Sequence, residues 1–156
     1  MDEKNNVMYN GGVGVPFSHG VIPTVNISGE VGFMKTGDIG LVSLGGLAEF
    51  QLGNYRFSDY TDEIFPRFYL GGRAAWHVHA FNSKIFDAYA GIGFGVLLNG
   101  KTEHSNNILY DSEPPVAMQP DFFVGGRWMF SSGTGLFAEI GYTGLSTVKF
   151  GLTFNL

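Results

Sequence analysis

The chain has 156 residues, with 24 glycines, 15 phenylalanines, no cysteine and a formal net charge of −5. That length suits one domain over residues 1–156, and the lack of cysteine excludes disulfides, thiolate metal sites and cysteine nucleophiles. An acidic balance disfavours a nucleic-acid partner, whose phosphates require a basic surface, and no apolar run reaches the roughly 18 residues of a transmembrane helix.

The opening segment MDEKNN has neither the basic nor the apolar region of an export signal. Met1 reads either as the start of an expressed piece or as an initiator ahead of a mature N-terminus. Eight stretches then alternate apolar and polar residues with the period of a strand, whose side chains point alternately to its two faces. They are predicted at 6–15, 24–34, 39–53, 66–81, 85–99, 120–131, 134–143 and 147–156. In the second, Val25, Ile27, Val31 and Phe33 oppose Asn26, Ser28 and Glu30. In the fourth, Phe68, Leu70, Trp76 and Val78 oppose Tyr69, Arg73, His77 and His79. No stretch sustains a helical period.

Tight connections are expected at Lys35–Asp38, at Asn82–Lys84 and around Ser132 and Gly133. Longer ones are expected at Pro16–Pro23, Asn54–Phe65 and Gly100–Met118, with a further short one near Leu145 and Ser146. Strands long enough to cross a bilayer when tilted, with short turns at one end and longer loops at the other, match the layout of outer-membrane barrels. The fold class expected is all-β: an eight-stranded antiparallel up-and-down transmembrane β-barrel with a polar, side-chain-filled interior. An even strand number puts both termini at the periplasmic end.

One face of every strand is free of charge, and Phe33, Trp76, Phe86, Trp128, Phe130 and Phe154 fall near its turn ends, as an interfacial aromatic girdle requires. The opposite face carries the interior polar cluster: Glu30, Glu49, Arg73, His77, His79, Asp87, Arg127, Glu139 and Lys149. Ions withdrawn from water must be paired, and eight strands enclose only enough space for their own side chains, so a plugged interior is expected, not an open pore. Four carboxylates meet three permanent cations on this face. Counting back from the turns, His79 is expected opposite Asp87 and Arg127 opposite Glu139. Interior glycines, among them Gly45, Gly71, Gly91, Gly93, Gly95, Gly125, Gly141 and Gly151, make room for the large side chains. GIGFG is no phosphate loop, because no helix follows it.

DAYAGIGFGVLLNG, the arginine strand at Gly126, Arg127 and Trp128, the GLFAEIGY strand with inward Glu139, and the alternating final strand resemble small bacterial outer-membrane barrels of the OmpA/OmpX-like type. GGVGVPF followed by VNISGEVGF is similar to the first hairpin of that group. Proteins of the group usually finish on an aromatic residue, whereas this chain finishes on Leu156 with Phe154 two places before. The resemblance implies the bacterial outer membrane as location and its lipids as surroundings, and specifies no activity.

Function is expected in the outer loops, since rigid scaffolds present binding residues there. Candidate contacts are Tyr55, Arg56, Asp59, Tyr60, Glu103, His104, Tyr110 and Asp111, facing another outer-membrane protein or a host surface ligand. No catalytic residue, metal or cofactor is assigned. The expected function is a non-enzymatic structural, adhesive or accessory barrel. An enzyme modifying lipid A or phospholipid and a soluble lipocalin-like carrier are the alternatives. His19 and His104 lie beside Ser18 and Ser105 in outer loops with nothing to orient them as base and nucleophile, and a metal site from His77, His79 and Asp87 is a further alternative.

Overall fold

The structure, a computed structural model, describes residues 6–16, 22–56, 62–78, 85–100 and 115–156, with backbone alone at 53–56, 62–65 and 143. Its strands are β1 (Val7–Val15), β2 (Thr24–Lys35), β3 (Gly40–Arg56), β4 (Asp62–Val78), β5 (Phe86–Asn99), β6 (Val116–Met129), β7 (Thr134–Thr143) and β8 (Ser146–Asn155). Each pairs antiparallel with its neighbours in sequence, and β1 pairs with β8 from Met8↔Asn155 to Val15↔Val148, so the sheet closes into an eight-stranded barrel with no edge along this seam. The shortest strands, β1, β7 and β8, have 9 or 10 residues, enough to cross hydrocarbon when tilted.

Turn chemistry shapes one end of the barrel. Gly37 supplies a positive φ of 70° between β2 and β3, and the Thr36 amide closes that turn on the Gly40 carbonyl at 2.8 Å. Between β6 and β7, Ser131 Oγ accepts from the Thr134 amide at 3.1 Å.

At the other end the strands run on past the lengths expected from sequence. The β3–β4 ladder continues to Arg56↔Asp62, so Tyr55 and Arg56, expected in a loop, are strand residues. β6 begins at Val116, four residues earlier than expected, and pairs with β5 from there. From sequence Asn54 is expected to open a loop, yet an antiparallel pair that meets no obstacle keeps exchanging backbone hydrogen bonds, which leaves fewer peptide groups unpaired. Beyond Phe122↔Tyr142 the outer part of β6 has no β7 partner, and Pro120, which has no N–H to offer, stands on that edge.

The two faces have reversed polarity. Val25, Ile27, Leu70, Ile92, Phe94, Phe122, Val124, Trp128, Ile140 and Phe150 are exposed on the outer surface, while Arg127, Lys149, His77, Asp121 and Tyr69 are buried inside. Water would not hold such a surface; hydrocarbon would. The chain therefore forms a transmembrane barrel. The aromatics Phe33, Trp76, Phe86, Trp128, Phe130 and Phe154 are exposed toward the turn end, and Trp76 Nε1 donates to Thr36 Oγ1 at 3.1 Å, the half-apolar, half-polar setting of an interfacial ring.

The interior is polar and filled by side chains, as expected, and apolar layers alternate in it with charged ones. Met8, Leu41 and Met129 close the turn end; Ala75, Tyr89 and Phe123 cross the middle; Leu47, Tyr69, Leu97 and Leu145 fill the loop end. Interior aromatics lie against glycines of their own or neighbouring strands. Tyr89 faces Gly125 across β5 and β6, and a Cβ built there would sit 2.6 Å from the Tyr89 ring. Gly125→Ala is expected to cost about 1–3 kcal/mol by displacing that ring. Gly72→Ala, on the outer face with nothing within 4 Å of its added Cβ, is expected to change stability by less than about 0.5 kcal/mol. Urea titration of the folded barrel, followed by tryptophan fluorescence, compares the two.

Candidate functional site

The chemistry-bearing residues of the described chain gather in two ionic layers inside the barrel. The layer nearer the turn end is centred on Arg127, whose inward direction follows from the outward Trp128 beside it. Its Nη1 donates to Asp87 Oδ2 at 3.0 Å, its Nη2 to Glu30 Oε1, and its Nε to Asn10 Oδ1 at 3.3 Å. The guanidinium also lies 4.3 Å from the centre of the Tyr89 ring. Asp87 is shared with His77, whose Nδ1 stands 2.9 Å from Oδ2.

The second layer is built on Arg73. Its two terminal nitrogens grip Glu139 at 3.0 and 3.2 Å in the bidentate geometry that suits guanidinium and carboxylate. Its Nε is 2.8 Å from Asp121 Oδ2, and its plane lies over Phe123. Lys149 Nζ stands 3.4 Å from Glu49 and 3.8 Å from Glu139. The Tyr89 hydroxyl donates to Glu139 Oε1 at 3.1 Å and so ties the two layers together.

Several expectations need correction. Arg127 does not face Glu139: its partner across the sheet is Phe137, Glu139 faces Gly125, and the two charges are diagonal neighbours on the same inner face. Arg127 is satisfied across the lumen by Glu30 and across the sheet by Asp87, its direct partner on β5. His79 lies outside the described residues, as do Asp59, Tyr60, Glu103, His104, Tyr110 and Asp111. Asp87 is taken by His77 and Arg127. The charge tally changes as well, because Asp121 is fully buried inside. Among the described residues, five carboxylates, Glu30, Glu49, Asp87, Asp121 and Glu139, therefore meet three permanent cations and His77. Asp121 was legible in principle: with Phe122 and Val124 outward, the alternation of β6 sends it inward.

Ser43, His77 and Asp87 form a chain of contacts like that of a hydrolase, with Ser43 Oγ 2.9 Å from His77 Nε2 and Asp87 at Nδ1. Three facts argue against nucleophilic chemistry. The Ser43 hydroxyl gives its single hydrogen to Glu30 Oε2 at 2.6 Å, so the imidazole is the donor in their contact, opposite to the role of a base. Ser43 and His77 are both fully buried behind Met8 and Leu41. The cavity among Asn10, Glu30, Arg73, Arg127 and Glu139 measures about 10 Å³, room for about one water molecule. The contacts serve to neutralise buried charge. Among the described residues, no group of three or more His, Cys, Asp or Glu side chains is arranged to hold a metal ion.

No protein-family model matches the chain, and no curated protein matches it. Two solved structures with similar folds are both of Ail, the attachment invasion locus protein of Yersinia pestis. One, in complex with the heparin analogue sucrose octasulfate, is 14% identical with a TM-score of 0.48. The other is 13% identical with a TM-score of 0.43, and in each case the match covers 98% of this chain and 96% of that one. In strand number, neighbour order, closure between first and last strands and reversed polarity, the chain has the architecture of the small OmpA/OmpX-like outer-membrane barrels.

Proposed function

We propose that the protein is a bacterial outer-membrane barrel that works as a structural, adhesive or accessory scaffold, with both termini at the periplasmic end and its function in the outer connections. The observation that carries this reading is the filled lumen. Among the described residues, two ionic layers and three apolar ones fill the lumen, and the cavity between them, about 10 Å³, is far smaller than the apolar cavity a lipocalin-like carrier needs. What remains available to partners is the rim and the loops. The partner class is another outer-membrane protein or a host surface ligand, and the membrane lipids are its surroundings.

Deleting residues 103–113 is expected to leave a folded barrel, seen as the heat-dependent gel shift of membrane barrels, while cells producing the variant lose attachment to a host-cell monolayer. Attachment equal to that of the intact protein would reject the loop reading. An enzyme of outer-leaflet lipid is the competing reading, against which the burial of Ser43 and the commitment of its hydroxyl to Glu30 argue. Mass spectrometry of lipid A from cells with and without the protein separates the two, and identical lipid A is the expected result.

A further inference from the structure

The turn between β7 and β8 enters the lumen where an outward hairpin would continue. Leu145 is 6% exposed and packs against Leu47, Tyr69 and Leu97 of β3, β4 and β5, on the far wall of the barrel. The turn is held there by one carboxylate. Glu49 Oε2 accepts the Leu145 amide at 2.8 Å, and Oε1 accepts the Ser146 hydroxyl at 2.5 Å. β3, which carries Glu49, is not a sheet neighbour of either strand that the turn joins. Gly144 adopts a positive φ of 37°, and a Cβ there would come within 2.5 Å of Tyr69 and 2.7 Å of Glu49 Oε2, so only glycine lets the turn fold in this far.

We propose that the turn 143–146 is a hinged plug of the outer mouth, with Glu49 as its latch and with opening that admits water to the Arg73–Glu139 layer. Two observations favour a movable element over a fixed piece of core. The β7–β8 ladder loses its regular register between Ile140 and Thr143, immediately before the turn, which gives the segment a joint. Polar atoms under the turn are poorly served when it is closed. Among the described residues, the buried Tyr69 hydroxyl has no hydrogen-bond partner and neither oxygen of Asp121 has an aligned donor, although Arg73 neutralises its charge. Entry of water would satisfy these groups, so desolvation pulls against the closed position while Leu145 packing and the Glu49 hydrogen bonds hold it. Elements balanced in this way open locally well below the cost of global unfolding.

The chain has no cysteine, so Ala117→Cys, at a part-buried site packed against the Leu47–Tyr69–Leu97–Leu145 cluster, gives a single reporter of water entry. In the folded full-length protein in detergent, this thiol is expected to react with a small charged methanethiosulfonate at least about tenfold faster when combined with Glu49→Ala, which removes two hydrogen bonds to a charged acceptor. Equal rates with the barrel folded would overturn the proposal. If Glu49→Ala does not fold, Ser146→Ala removes one latch bond and is expected to accelerate the reaction in the same direction. In the unaltered protein, hydrogen exchange of the Leu145 amide is expected to be about 100-fold faster than that of Leu152 in the ladder. Exchange as slow as that of Leu152 would show a turn that does not open. None of these readouts depends on what the loops bind.

Discussion

Arg127→Ala is expected to destabilise the folded barrel by about 3–5 kcal/mol, the cost of leaving buried charges without their partner. Arg127 is 1% exposed and serves Glu30, Asp87 and Asn10 at once. Its loss leaves two carboxylates facing each other near His77, with the Met8–Leu41 layer keeping water out. Removing the charges together tests the mechanism: Arg127→Met with Glu30→Gln and Asp87→Asn is expected to recover more than half of the lost stability, because buried ion pairs replaced by neutral groups of similar volume are often close to neutral in free energy. Urea titrations in detergent micelles provide the comparison. A triple variant no more stable than Arg127→Ala would mean that the arginine acts through packing and not through charge.

Ile92→Arg is expected to cost about 2–4 kcal/mol, the penalty for a cation on the lipid face at mid-membrane depth. Ile92 lies midway along β5, 62% exposed, between Ala74 and Phe122 of the neighbouring strands. Met34→Arg, also outward but at the turn end where the chain meets the interface, is expected to cost less than about 1 kcal/mol. In a water-soluble barrel both substitutions would be harmless surface changes. Equal stability of the two variants in lipid bilayers would contradict the membrane placement.

Much of this arrangement could be read along the chain. A period of two, maintained over eight segments with charge confined to one face, determined the strands, their number and the inversion of grease and charge, because each depends only on the alternation of side chains within one strand. The same alternation identified Glu30, Glu49, Arg73, His77, Asp87, Arg127, Glu139 and Lys149 as inward. It contained Asp121 too, in the outward phase of Phe122 and Val124.

The pairing of those charges was decided only in three dimensions. Counting back from a turn addresses residues on adjacent strands, whereas Arg127 of β6 reaches Glu30 of β2, and Arg73 of β4 grips Glu139 of β7, across the lumen. Which inner residues come level is set by strand tilt and stagger in the closed barrel, a property of all eight strands together. The same holds for the inward fold of Gly144 and Leu145. In sequence they are an ordinary two-residue turn, and it is Glu49 and the Leu47–Tyr69–Leu97 cluster on the far wall that hold them in the mouth.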